Sequence, residues 1–327
     1  MSGLVTIYGG SGFLGRYIAQ RMAAQGWRIR IACRHPYDED ASGTRIYGVV
    51  GQVAPVLCNI RDDESVRTVM QGADVVINCV GVLSESGANT FDAIQHEGPE
   101  RIARIAAELG VARMVHVSAI GADADSDSDY ARSKAAGEAA VLRHMPQAVI
   151  LRPSIIFGRE DEFFNRFAAM SGPILPVVGA DTRFQPVYVD DVARAVELVA
   201  TGAAEPGVYE LGGPDVMTFR ELMQEMLGVI RRRKLIVNMP FGLAGLMAGG
   251  MGLVERLSFG LIKAPLTGDQ VAQLRRDNVV AEGARGFDAL GLKPISMGSI
   301  LPEYLWRFRT SGQYAEIKES ARNLRRD

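Results

Sequence analysis

Short runs of apolar, mostly β-branched residues alternate with longer segments of helical period through the first half of the chain. The runs Leu4–Tyr8, Arg28–Cys33, Val53–Cys58, Val75–Val80, Met114–Ser118 and Ala148–Leu151 read as strands. Between them Phe13–Gln25, Asp62–Gln71, Phe91–Leu109 and Tyr130–Arg143 carry the 3.6-residue repeat of helices that bury one face. Strand and helix in steady alternation predict stacked βαβ units, hence an α/β fold with a doubly wound, six-stranded parallel sheet and helices on both faces.

After Leu151 the rhythm loosens into pieces punctuated by Arg152-Pro153, Gly172-Pro173, Gln185-Pro186 and Gly213-Pro214, which argues against a second regular sheet. The expected organisation is a nucleotide-binding domain over residues 1–152 and a smaller, mostly helical region over 153–327. Thr218 and Glu221 have capping-box spacing, so a helix starts there and runs to about Ile230. The charge run Arg231–Lys234 follows, where a helix C-terminus favours positive charge. Leu235–Val254 is uncharged and long enough to span a bilayer, but Asn238, Pro240 and five glycines weaken it as a spanning helix. A buried or interfacial helix pair is the expectation.

Composition changes this picture little. Of 327 residues 47% are hydrophobic and 23% charged, which suits a globular chain of about two domains and excludes disordered or fibrous classes. With 36 basic against 38 acidic side chains there is no field to hold a polyanion, so nucleic acid is not an expected partner. Cys33, Cys58 and Cys79 show no CxxC and no histidine at ligand spacing, so no metal is expected and the thiols read as buried hydrophobes of a reducing compartment. The segment before Leu4 is too short for a signal or transit peptide, which leaves a chain that stays where it was made or a sequence already mature.

Chemistry enters at Gly9-Gly10-Ser11-Gly12-Phe13-Leu14-Gly15, directly after the first strand and opening the first helix. The first glycine permits the turn, the second lets backbone N–H groups approach a pyrophosphate, and the third lets helix pack on strand. In this context the motif predicts a dinucleotide on a Rossmann-type sheet. Where NAD-selective chains place an acid on the adenosine ribose, the second strand ends in Cys33-Arg34-His35, and an arginine there favours NADP(H) by pairing with a 2′-phosphate. Asn59 and Ile60 are placed either to meet the adenine or to make an ordinary strand-to-helix turn. Val80-Gly81 falls at the crevice. Tyr130 and Lys134 lie one turn apart on a helix, where the ammonium is expected to depress the phenol pKa and hold the nicotinamide ribose.

At these residues the sequence resembles the extended or atypical short-chain dehydrogenase/reductases: GGSGFLG, YxxxK and Leu151-Arg152-Pro153-Ser154-Ile155-Ile156-Phe157-Gly158. A narrower resemblance runs through Phe163–Phe167, Arg183–Val189, Leu266–Val271, Asp277–Val280 and Leu301–Phe308. It is to the nucleotide-binding accessory subunit family of respiratory complex I, the NADH:ubiquinone oxidoreductase. That resemblance implies a peripheral, structural, NADPH-binding subunit near the junction of the peripheral and membrane arms. By it Gly9, Ser11, Gly12, Phe13, Leu14 and Gly15 cradle the pyrophosphate, and Arg34 takes the 2′-phosphate. Asn59 and Ile60 border the adenine, Val80 and Gly81 the ribose side. Tyr130 and Lys134 hold the nicotinamide ribose, and Pro153, Ser154 and Ile155 the carboxamide. Ser118 is the nearest hydroxyl to the catalytic serine of active relatives, but in the extended pattern that serine falls where this chain has Ile120.

The leading expectation is therefore a non-catalytic subunit holding NADPH. It would dock on other complex I subunits at the cytoplasmic face of a bacterial inner membrane, or on the matrix side if mitochondrial and processed. Residues 231–256 and the basic tail Arg322–Arg326 are the candidate docking or lipid-facing elements. The alternative is a soluble NADP-dependent reductase or epimerase using Tyr130 and Lys134, with Ser118 as the hydroxyl.

Overall fold

The computed structural model describes residues 3–257, 267–310 and 312. The first half alternates as its pattern implies: β1 (Leu4–Tyr8), α1 (Phe13–Ala24), β2 (Arg28–Cys33), the single turn α2 (Glu39–Ser42), β3 (Val53–Leu57), α3 (Asp63–Met70), β4 (Val75–Asn78), α4 (Glu97–Glu108), β5 (Arg113–Val117), α5 (Asp129–His144) and β6 (Val149–Pro153). The helix expected from Phe91 begins as a π-helical turn, Asp92–His96, before α4 takes over. β4 stops at Asn78 rather than Val80, although the Cys79 N–H still bonds to the Tyr8 carbonyl at 3.0 Å.

The remainder contributes β7 (Ile156–Phe157), α6 (Phe163–Ala169), β8 (Ile174–Val178), β9 (Arg183–Phe184), β10 (Val187–Tyr188), α7 (Val189–Ala200), β11 (Gly207–Leu211), β12 (Met217–Thr218), α8 (Phe219–Val229), β13 (Leu235–Met239), α9 (Phe241–Leu257), α10 (Gly268–Gln273) and α11 (Met297–Leu305). The main sheet has seven parallel strands in the order β11-β6-β5-β4-β1-β2-β3. The seventh, β11, pairs with β6 from Gly207↔Val149 to Leu211↔Pro153. Its five residues, GVYEL, sit among glycines and prolines, so periodicity gave it no distinct signal.

Strand residues alternate between two cores, as the pleat requires. Val5, Ile7, Ile29, Ile31, Ile77 and Val115 face α1 and α7, whereas Tyr8, Ala32, Val76, Met114 and Ile150 face the other side with Ile102, Ile105 and Val141 of α4 and α5. The chain after Pro153 divides itself. α7 and β11 return to the sheet, while Phe157, Phe164, Phe184, Phe219, Leu222, Met226, Leu301 and Tyr304 form a separate core. Phe163 stacks on Phe219 with centroids 5.6 Å apart, and Phe184 meets Phe219 edge-on at 5.5 Å, so the expected FFNRF and RFQPVYV segments meet in one aromatic cluster.

The capping box at Thr218 and Glu221 is formed, and α8 ends at Val229. The apolar stretch from Leu235 is not a helix pair. Its first five residues pair in parallel with β8, Pro240 breaks the chain, and α9 follows. No described helix is long and apolar enough to cross a membrane. The segment Arg322–Arg326 lies outside the described residues.

Candidate functional site

Strand order reverses between β1 and β4, and the crevice at their carboxyl ends is where an open α/β sheet takes a ligand. The glycine loop forms one wall. Gly9 has φ +77°, and a Cβ there would lie 3.1 Å from the backbone of Cys79 and Val80, so the two crevice loops are in direct contact. A Cβ on Gly15 would fall 2.3 Å from the Gly9 carbonyl oxygen and 2.6 Å from Gly10 Cα. Only glycine lets α1 start this close to β1. α3, α5, α8 and α10 each begin with a side-chain oxygen bonded to a first-turn N–H. α1 has no such cap at Gly12 and no acid in its first turn. Its first-turn N–H groups and positive dipole end are thus left for an anion, at the loop that carries Ser11 and Gly12.

Arg34 is exposed immediately beyond β2. It lines a groove of about 450 Å³ with His35, Pro36, Tyr37, Asp38, Pro55, Val56 and Leu57. Asn59 is exposed and makes a turn: its Oδ1 accepts from the Arg61 backbone N–H at 3.2 Å and from Arg61 Nε at 3.3 Å. Ile60 packs instead toward α4, where a Cβ on Gly98 would sit 2.9 Å from its Cδ1. Of this pair, Asn59 faces the crevice side of the turn only through a side chain already engaged with Arg61.

The other end of the crevice gathers around Lys134. Its side chain is buried, its Nζ stands 5.9 Å from the Tyr130 ring centroid, and it makes no hydrogen bond or ion pair among the described residues. Gly81 leaves it room, since a Cβ there would be 3.4 Å from Nζ and 3.9 Å from Gln95 Oε1. Burial pulls the ammonium down to about 8, against the opposing charge of Glu138 one turn along α5. Glu138 is in turn gripped by Arg152 through 2.9 and 2.6 Å bonds.

Three buried polar atoms here lack a partner: Gln95 Oε1 and His116 Nε2, both close to this ammonium, and Ser118 Oγ just beyond β5. His116 is held neutral, down to about 3, by burial and then by the charge of Lys134. Unpaired buried polar atoms are costly, and a cluster of them beside an unpaired cation fits a ligand rich in hydroxyl and amide groups. The residues therefore fit a dinucleotide at both ends. When bound, such a group supplies hydride chemistry at its nicotinamide. Gln95 and His116 escaped the sequence reading because neither stands in a motif; the signal for Gln95 is its place on a π-helical turn.

Tyr130 differs from expectation. Its phenol is not depressed by Lys134 but pushed up to about 12, first by burial and then by the charge of Asp269. The ring lies edge-on to Phe91 at 5.8 Å, and the ammonium stands too far off to offset the loss of water. Asp269, on α10, accepts from the Asp129 backbone N–H at 2.6 Å and from Ser128 Oγ at 3.1 Å, so it caps the helix that carries Tyr130. Gln270 Nε2 reaches the Leu83 carbonyl at 3.4 Å. α10 thus bridges the start of α5 and the loop after β4.

Ser154 is also committed: its hydroxyl lies 2.6 Å from Asn278 Oδ1, while Asn278 Nδ2 donates to the Ile120 carbonyl at 3.3 Å. The Pro153 carbonyl accepts from Ile120 N–H and that of Ile155 from Val187 N–H, so this segment has little left for a carboxamide beyond its apolar surface. Ile120 itself is buried. Among the described residues no group of three or more His, Cys, Asp or Glu side chains is arranged to hold a metal.

The fold and crevice define a dinucleotide-site scaffold, and residues 5–212 match the NAD dependent epimerase/dehydratase family. The chain is 36% identical, over 95% of its length and 80% of the relative's, to the mitochondrial NADH dehydrogenase [ubiquinone] 1 alpha subcomplex subunit 9 of Arabidopsis thaliana. It is 30% identical, over 94% of its length and 80% of the relative's, to the mitochondrial NADH-ubiquinone oxidoreductase 40 kDa subunit of Neurospora crassa. The chain belongs to the NAD dependent epimerase/dehydratase family and, within it, to the family of these complex I subunits. A ceramide reductase of Caulobacter vibrioides is 31% identical over 73% of the chain and 74% of that protein. Among solved structures, the NADPH-dependent quinone oxidoreductase QOR2 of Escherichia coli, complexed with NADPH, shares the fold with a TM-score of 0.68 at 18% identity, covering 92% of this chain and 98% of its own.

Proposed function

We propose that this chain is an accessory subunit of respiratory complex I that holds NADPH as a structural ligand and does not turn it over. The observation that carries the reading is the match along nearly the whole chain to subunits of that complex. The crevice supports it. The phenol that would serve as acid is held at about 12, Ile120 stands at the serine position, and α10 lies across the start of the Tyr130 helix. A missing oxyanion-type donor costs an enzyme about 3 kcal/mol or more in the transition state, whereas cofactor contacts survive its loss.

In this reading Gly9, Ser11, Gly12, Phe13, Leu14 and Gly15 cradle the pyrophosphate and Arg34 meets the 2′-phosphate. Asn59 borders the adenine, with Ile60 behind it against α4. Val80, Gly81, Ser118, Tyr130 and Lys134 line the nicotinamide ribose, with Pro153, Ser154 and Ile155 beyond. Held at a thousandfold excess over its Kd, NADPH stabilises the fold by roughly 4 kcal/mol. Residues 1–152 act as the nucleotide-binding part and 153–327 as the docking part. There the exposed Leu235 and Val237 of β13, directly after Arg231–Lys234, and the exposed Leu243, Leu246 and Met247 of α9 are the apolar surface for other subunits or lipid headgroups near the junction of the arms. Association is peripheral.

The test is a mild-detergent pull-down of tagged chain from membranes, with co-purifying proteins identified by mass spectrometry. Stoichiometric complex I subunits are expected. Recovery of the chain alone, from the soluble fraction, overturns the reading.

A second reading, an NADP-dependent reductase or epimerase using Tyr130 and Lys134, is favoured by the likeness to the ceramide reductase and by the unpaired Ser118 hydroxyl. It predicts NADPH oxidation by the purified chain with a carbonyl substrate, abolished in Tyr130→Phe.

A further inference from the structure

We propose that Arg16 is a second ligand for the nucleotide's 2′-phosphate, and that Asp40 is the anion it releases to bind it. The proposal rests on the nucleotide reading above and assigns its specificity. Arg16 lies one turn into α1, its N–H bonded to the Gly12 carbonyl at 3.0 Å. Helical side chains lean toward the N-terminus, so its guanidinium is carried back toward the uncapped end that receives the pyrophosphate. It is 19% exposed and pairs with the carboxylate of Asp40 on α2. That carboxylate is 73% exposed, and Arg16 is its one partner among the described residues.

The placement explains a feature of the loop after β2. Arg34 is followed by three consecutive acids, Asp38, Glu39 and Asp40, which would repel a phosphate arriving beside Arg34. Asp38 shares the groove with Arg34. Asp40 is neutralised by an arginine from the opposite wall, so the loop is spanned by a cation from each side, Arg34 at the end of β2 and Arg16 on α1. A pair whose carboxylate stands largely in water is weak and gives way readily. A phosphate monoester carries nearly twice the charge of a carboxylate and three acceptor oxygens, so the guanidinium gains by exchanging partners. A ribose with a bare 2′-hydroxyl offers no such gain, and Arg16 stays on Asp40. The device selects phosphorylated dinucleotide, with Asp40 raising the threshold.

The experiment titrates the purified full-length chain at fixed salt with NADPH and NADH, and with the fragments 2′,5′-ADP and 5′-AMP, by calorimetry. The wild-type chain should prefer each phosphorylated ligand at least about tenfold, the scale of one charge-assisted contact. Arg16→Gln should weaken NADPH and 2′,5′-ADP by about ten- to a hundredfold and leave NADH and 5′-AMP unchanged. Asp40→Asn should tighten NADPH alone, which guards against reading a misfolded Arg16 variant as support. A wild-type preference that Arg16→Gln leaves intact, or equal losses for NADPH and NADH, overturns this proposal while the cofactor reading stands. Binding of neither dinucleotide by the wild-type chain overturns both.

Discussion

The two ends of the crevice are built in opposite ways. At the glycine loop the site is made of backbone, from a seven-residue stretch in which a Cβ on Gly9, Gly10 or Gly15 would come within 2.3 to 3.1 Å of neighbouring main chain. At Lys134 it is made of side chains drawn from the π-helical turn, β5, the loop after it and α5, and it keeps a buried cation and three polar atoms without partners. The first end is complete before any ligand arrives. The second keeps polar groups that a ligand would satisfy, and α10 bridges the start of α5 and the loop after β4 beside it. The contrast suits a site that binds firmly and does not react.

The largest expected effect comes from breaking the rigid end. Gly15→Val places carbon against the Gly9 carbonyl, which cannot move without opening the turn; we expect a loss of at least about 3 kcal/mol in urea unfolding and no nucleotide binding. A loss under about 1 kcal/mol would mean that the loop is slack and the contrast between the ends is overdrawn.

Lys134→Met tests the other end and should act in the opposite direction on the free chain. Folded, Lys134 gives up its proton at about 8 instead of 10.5. Between those values the unfolded chain binds more protons, so stability rises with pH across that window, and below it the whole penalty, about 3 kcal/mol, is present. The methionine variant should be more stable at neutral pH and lose this rise from pH 8 to 10.5, yet bind NADPH more weakly. A variant less stable at neutral pH than wild type would show that the ammonium is satisfied without ligand.

Asp269→Asn sharpens the account of the α10 bridge. Losing a charged cap should cost about 1 kcal/mol, and the Tyr130 phenol, followed by near-ultraviolet absorbance, should titrate lower but still above its ordinary value, because burial is the larger cause. An unmoved phenol would place α10 elsewhere in solution. The smallest effect is expected far from the crevice. Arg231 closes α8 with φ 54°, in the left-handed region that suits glycine. Arg231→Gly should raise stability by about 0.5 to 1 kcal/mol, with nucleotide binding unchanged.

Much of this molecule was legible without coordinates, for local reasons. The strand runs, the capping box at Thr218 and the glycine loop are each decided by residues within about one turn of one another, and periodicity or backbone sterics reads them directly. β11 and β13 were not, because five-residue strands amid Pro and Gly carry no period distinct from a loop or an apolar helix. Their pairing with β6 and β8 is what made them strands. Tyr130 and Lys134 were placed on one helix face by spacing alone, but spacing could not supply the phenol's surroundings, which lie about 140 residues away at Asp269.

The sequence by itself determined the doubly wound sheet, the dinucleotide cradle and the family, since those rest on short-range geometry that few residue types satisfy. Tertiary structure alone decided the sense of the phenol's shift, the gathering of Gln95 and His116 near one cation, the commitment of Ser154 to Asn278, and the pairing of Arg16 with Asp40. Each depends on desolvation or on charge across segments distant in the chain, and neither acts until the fold brings them together.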